Sequence, residues 1–247
     1  MFKSIAAAAV LAATAIAPAS SAHALTMGDI AFTGFNADQD NWSVVALADI
    51  APGTEIYFSD NEWNGTAFND TNEHTMLWNS GAATIAAGTV VLFTEISSSN
   101  FGVSVGNLSL ASGGGSNFGL SASDETLYAY LGTDAVTPTL FLAGFSTESG
   151  TGNLTAAGLT LGATAVQVTN SADYAEYVGP RLGQATFGAY AMLVNDASSW
   201  NVLVGGDQSA LVPDTTAFSV TAVPEPGTYA MLLSGLLAIG TFVRRKG

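Results

Sequence analysis

Seven short runs rich in β-branched and aromatic residues, each closed by turn residues, restrict this chain to an all-β fold. They are DIAFTGF (Asp29–Phe35), WSVVALA (Trp42–Ala48), TEIYFSD (Thr54–Asp60), TMLWN (Thr75–Asn79), TVVLFTEI (Thr89–Ile96), ETLYAYLG (Glu125–Gly132) and TLFLAGF (Thr139–Phe145). NADQDN, APG, NGT, AAG and TDAVTP separate them. Short strands at this spacing predict a β-sandwich or barrel. In TEIYFSD, Ile56 and Phe58 alternate with Glu55 and Tyr57, as a half-buried strand requires. SGGGSN (Ser112–Asn117) reads as a hairpin loop, with a hinge as the alternative, and GGDQSALVPDTT (Gly205–Thr216) as a turn or linker. ATFGAYAMLVND (Ala185–Asp196) suits a short helix and, nearly as well, a strand. No domain boundary shows between Leu25 and about Val220, and no fixed-period repeat is present.

The two ends are of a different kind. Residues 1–24 read as a secretory signal peptide: Lys3 is the positive start, Ile5–Ala17 the apolar stretch, and Ala22-His23-Ala24 a small-x-small cleavage site. Cleavage between Ala24 and Leu25 leaves a body spanning 25–220. At the other end, 221–226 is a linker containing Pro224-Glu225-Pro226, and 227–243 is an uncharged run. As a helix that run is about 25 Å long, at the short end of what crosses a bilayer core of about 30 Å. Arg244-Arg245-Lys246, in the tail 244–247, follows as a stop-transfer cluster that stays on the cytoplasmic side.

Charge narrows the function classes. Between Leu25 and Val223, Arg181 is the single cation against nineteen carboxylates, a net charge of −18. Such a body repels nucleic acid and anionic lipid, and metal cations are its natural counter-charges. With no cysteine there is no disulfide, and about 200 residues suffice for one core. Zinc does not suit one histidine and no cysteine. No lysine is available for Schiff-base or phosphate-loop chemistry, and no G-x-S-x-G elbow occurs in the body. His74, in NDTNEHTMLW, reads as a loop histidine at the start of a strand.

Two acidic loops are candidate calcium sites, since hard oxygen ligands on loops suit Ca²⁺. NADQDN contributes Asp38 and Asp40, and SDNEWNG contributes Asp60 and Glu62. Solvated loops are the plain alternative. Trp42, Trp63, Trp78 and Trp200 could form a sugar-stacking platform, with core packing an equal alternative for most of them; Trp63, flanked by polar residues, is the best exposed candidate for stacking on a glycan.

The C-terminal order of Pro-Glu-Pro, short apolar run and basic end resembles a PEP-CTERM sorting signal of Gram-negative bacteria. The resemblance implies recognition of Pro224-Glu225-Pro226 by an exosortase, passage through an inner-membrane-anchored intermediate, and a link to exopolysaccharide and biofilm matrix. In the body, the turn LADIAPGTEI (Leu47–Ile56), the downstream Trp63 and the turn AAGTVV (Ala86–Val91) resemble a β-sandwich domain of bacterial secreted proteins. More distantly they are similar to the lamin-tail domain, an immunoglobulin-like sandwich. These resemblances imply a binding or structural module. The expectation is a non-catalytic cell-surface or matrix protein without a cofactor. The alternatives are a carbohydrate- or calcium-binding module and a carboxylate-dependent hydrolase.

Overall fold

The computed structural model describes residues 24–69, 73–94, 101–113 and 119–221, together with Met231, Ser234 and Gly235. The signal segment before Ala24, the Pro224-Glu225-Pro226 motif, the rest of the 227–243 run and Arg244-Arg245-Lys246 lie outside the described residues. Among those described, no helix is long and apolar enough to cross a membrane.

The strands are β1 (Ile30–Asn36), β2 (Asn41–Ala46), β3 (Glu55–Ser59), β4 (Thr75–Asn79), β5 (Val90–Thr94), β6 (Gly102–Val103), β7 (Asn107–Ser112), β8 (Thr126–Asp134), β9 (Thr137–Ser146), β10 (Ala165–Gln167), β11 (Ala172–Tyr177) and β12 (Trp200–Val204). Two six-stranded sheets result, ordered β12-β11-β1-β2-β5-β6 and β10-β9-β8-β3-β4-β7. Pairing is antiparallel apart from β9 with β10. The all-β expectation holds. All seven strand runs read from the sequence are strands here.

The alternation seen in TEIYFSD is what brings the sheets together. Ile56 and Phe58 are fully buried, whereas Glu55 points to solvent. From the first sheet, Phe32 meets Phe58 and Phe145 at 6.3 Å, and Trp42 stacks on Phe93 at 5.2 Å. Trp42, Trp78 and Trp200 are all core residues. A smaller cluster covers the other face of the second sheet, where Tyr128, Tyr130 and Phe141 pack against Leu154 and Leu159. Leu154 is carried by the short helix α1 (Gly152–Ala156). Ala24 is exposed, whereas Leu25 is buried and joins the main core.

Three expectations resolve differently or more sharply. SGGGSN does not close a hairpin, because β7 pairs with β4 while β8 pairs with β3 and β9. The two strands flanking that segment are separated by two others, so it begins a crossover. Residues 185–196 take the helical option: a 3-10 turn (Phe187–Tyr190) runs into α2 (Ala191–Val194). Thr186 caps the turn by accepting the Ala189 N–H.

The third is GGDQSALVPDTT, which is no loose linker. Residues 205–221 form a strap across the outer face of the first sheet. Asn36 Nδ2 donates to the carbonyls of Gln208 (3.0 Å) and Leu211 (2.9 Å), and Glu176 accepts the Asp214 N–H. Pro213 lies on Gly34, where an added Cβ would come within 2.8 Å of both Pro213 Cγ and Ser43 Oγ. Phe218 then stacks on Tyr177 and meets Tyr190 edge-on. The Arg181 guanidinium lies 5.0 Å above the Phe218 ring and donates to the Thr216 carbonyl at 2.8 Å. Glycine, proline and aspartate supply the irregular backbone; side-chain donors replace the ladder bonds that a strand would have.

Candidate functional site

At one end of the sandwich the fold gathers acids from four segments. The β1–β2 turn carries Asp38 and Asp40, the segment after β3 carries Asp60 and Glu62, Glu73 precedes β4, and Glu125 precedes β8. The sequence grouped Asp38 with Asp40, but the fold parts them. Asp38 turns to the strap, its Oδ2 accepting the Gln208 N–H at 2.6 Å. Asp40, in a left-handed conformation (φ 52°), turns inward, and its Oδ1 accepts the Leu120 N–H at 2.6 Å. Gly119 sits so close that a Cβ there would stand 2.5 Å from that same oxygen. Its φ of +151° also disfavours other side chains.

Asp60 is 6% exposed. Its Oδ1 accepts the His74 backbone N–H at 2.8 Å, and its Oδ2 lies 3.9 Å from His74 Nδ1. Burial pushes the Asp60 carboxyl up to about 7; the backbone hydrogen bonds oppose this, and the charges of Glu62 and Asp40 add to it. Burial likewise raises Glu125 well above the usual carboxylate range, helped by the Asp60 charge, while its Oε2 accepts the Ser121 N–H at 2.6 Å. His74 is 2% exposed, and burial lowers its pKa, favouring the neutral ring. The histidine reading therefore holds as to position, immediately before β4, but the side chain is buried. A cavity of about 10 Å³ lies between Trp42, Asp60, His74 and Leu120. That is room for a single water, and the Trp42 indole N–H on its wall has no hydrogen-bond partner among the described residues.

Asp40, Asp60 and Glu62 are thus electrostatic neighbours, with Glu73 and Glu125 joining them. Glu73, next to His74, and Glu125 were not among the site candidates that the sequence offered. An acid opening an otherwise apolar strand was the available signal. No set of three acidic or histidine side chains among the described residues is arranged to hold a metal ion. In Asp38, Asp40 and Asp60, one oxygen is already occupied by a backbone N–H that ties two segments together.

Trp63 sits in a small turn closed by its bridge to Phe68. Asn64 Oδ1 accepts from the Thr66 N–H, Thr66 hydroxyl and Ala67 N–H, each at 2.9 Å. The indole is half-buried and meets Phe68 edge-on at 5.1 Å and Phe141 at 5.4 Å. Those contacts make it part of the outer aromatic cluster rather than a free platform.

The opposite end of the first sheet is where the chain leaves the body. The Gly88 N–H donates to the Ala46 carbonyl (2.7 Å), and the Gly88 carbonyl accepts the Phe218 N–H (2.8 Å). Ser219 N–H donates to Arg181 and Thr221 N–H to Gln184, each at 2.8 Å. These bonds hold the strap against the body as far as Thr221.

No curated protein and no solved structure matches the chain. The family model of the PEP-CTERM protein-sorting motif matches residues 222–246, which include Pro224, Glu225 and Pro226. That motif is a sorting address and implies an exported substrate of an exosortase. The chain carries the PEP-CTERM protein-sorting motif, beginning one residue after Thr221, whose N–H bonds the Gln184 carbonyl.

Proposed function

We propose that this is an exported, non-catalytic cell-surface or matrix protein of a Gram-negative bacterium. Its tail holds it in the inner membrane until an exosortase processes it, and its body then joins an exopolysaccharide-associated layer. The observation that supports this most is the junction at residue 221: the strap of the β-body is bonded through Thr221, and the sorting motif begins at the next residue. The test replaces Pro224-Glu225-Pro226 with three alanines and follows the C-terminus by mass spectrometry. The expected outcome is a membrane-bound chain with its tail intact. Normal processing of the triple variant overturns the reading.

A second reading, calcium or carbohydrate binding by the body, has one supporting observation. The fold brings Asp40 beside Asp60 and Glu62 although the sequence separates them by about twenty residues. A glycan array probed with and without Ca²⁺ tests it, and binding that is independent of Ca²⁺ favours the aromatic cluster around Trp63.

A further inference from the structure

The surface around the exit of the chain differs from the rest of the body. From Tyr177 to Asn195, nineteen consecutive residues contain no acid, in a body with nineteen acids. Arg181, the body's one cation, is in this stretch. The loop 178–184 exposes Val178 (62%) and Leu182 (72%), with Pro180 and Gly183 also open to solvent. This same loop holds the last strap residues. Arg181 and Gln184 carbonyls accept the Ser219 and Thr221 N–H groups, and Gln184 bridges Val220 in parallel.

The tether from there is short. Thr221 and Gly227 are six residues apart, so the start of the uncharged run lies within about 20 Å of Thr221 even when the linker is fully extended. The acidic end lies at the far end of β2, a strand about 20 Å long. Asp40 stands before β2 begins, and Ala46, at its end, contacts Gly88 and through it the strap. One end of the body therefore gathers buried acids, and the other presents the loop 178–184, whose single charge, Arg181, is paired with Asp214. The acids beside the loop are Glu176, which accepts the Asp214 N–H, Asp214, which pairs with Arg181 at 3.4 Å, and the exposed Asp196, which accepts the Ser198 N–H next to the Ser199 carbonyl that accepts the Val178 N–H.

We propose that the loop Val178–Gln184 is the membrane-facing surface of the body. It rests on the outward-facing layer of zwitterionic lipid headgroups while the uncharged run behind the sorting motif is in the bilayer. Exposed apolar side chains beside a membrane-entry point are stabilised by partial burial at the headgroup boundary. Clearing acids from this stretch removes the desolvation and repulsion that the rest of the body would suffer there. The assignment rests on the tail being membrane-inserted, as proposed above.

The chain has no cysteine, so single cysteines report cleanly. Full-length Leu182→Cys, Val178→Cys, Gln39→Cys and Leu236→Cys are each labelled with an environment-sensitive fluorophore and reconstituted in phosphatidylcholine vesicles. Lipid carrying a nitroxide in the headgroup or in the acyl chain serves as quencher. Gln39 is exposed in the β1–β2 turn at the acidic end and is the control. Headgroup nitroxide is expected to quench the probes at 182 and 178 several-fold more than the probe at 39. Equal quenching at 182, 178 and 39, with the probe at 236 quenched by the acyl-chain nitroxide, overturns the loop assignment and leaves the inserted tail standing. An unquenched probe at 236 overturns the inserted tail and the loop assignment with it.

Discussion

Asp60 and His74 meet twice, once through the backbone N–H of the histidine at 2.8 Å and once side chain to side chain at 3.9 Å, in a place where neither charge is solvated. The carboxyl at about 7, against an ordinary 3.8, holds its proton more tightly in the folded chain than in the unfolded one. Its contribution therefore opposes folding increasingly as pH rises from about 4 to about 7, by up to about 4 kcal/mol at 1.4 kcal/mol per unit. Glu125 acts in the same direction. His74, whose pKa is lowered, acts oppositely below its ordinary value of 6.5. Asp60→Asn keeps an acceptor for the His74 N–H without the buried charge. It is expected to be more stable than the parent at pH 8 and nearly equal to it at pH 4.5, as read by urea unfolding. A variant less stable at pH 8 contradicts the assignment.

The packing of Pro213 on Gly34 makes a second prediction. Gly34→Ala inserts a methyl where Pro213 and Ser43 already lie within contact distance. The strap must lift or the strand must shift, at a cost of about 1–3 kcal/mol. Urea unfolding gives the magnitude. Amide exchange is expected to speed up at Gln208, Asp214 and Phe218 before it does so in β3 and β8.

Arg181 carries a third. Its guanidinium bonds Thr216, faces Asp214 and covers Phe218. Arg181→Met keeps the apolar stem and removes the donors, which is expected to destabilise the body by about 1–3 kcal/mol. Lysine should restore only part of this, because a point charge cannot reproduce the planar stack over the ring. Full recovery with lysine would mean that charge alone is what matters here.

The acidic end supplies a fourth. Under the calcium reading, a hundredfold excess of Ca²⁺ over its Kd stabilises by about 2.7 kcal/mol, or about 5–10 °C in Tm for a body of this size. The comparison is 10 mM CaCl₂ against 10 mM MgCl₂ and NaCl of equal ionic strength. Asp40→Asn or Glu62→Gln is expected to abolish the Ca²⁺ excess, while Asp38→Asn, at the strap, leaves it intact. Equal shifts in Ca²⁺ and Mg²⁺ reject the reading.

The core strands were legible because each carries its own signal: β-branched and aromatic residues in a compact run, with turn residues on both sides. Most of those missed lack one part of it, although β12, WNVLV, has both and was passed over. β7 is largely exposed at a sheet edge, and NLSLAS has no β-branched or aromatic residue to notice. β11, ADYAEY, buries alanines and tyrosines without a β-branched residue. β10 has only three residues and exists by pairing with β9. The strap was misread because its glycines, proline and aspartates are the usual marks of a linker. What orders it is Asn36, Glu176 and Arg181, far away in sequence. The acidic site was half visible for the same reason. Asp40 and Asp60 stand out as loop acids, but which acids become neighbours depends on how the turns stack at the end of the sheets.

The strap also sets an order of events. Asn36 and Leu211 are hydrogen-bonded across 175 positions, so the outer face of the first sheet stays bare until nearly the whole body has been exported. The residues that cover it are the last to cross before the sorting motif. Only about a dozen residues separate Pro213, which seats on Gly34, from Pro224, at the head of the motif. Completion of the body and emergence of its address are therefore nearly simultaneous. A chain stalled in transit short of that point presents an unfinished sheet face and no address.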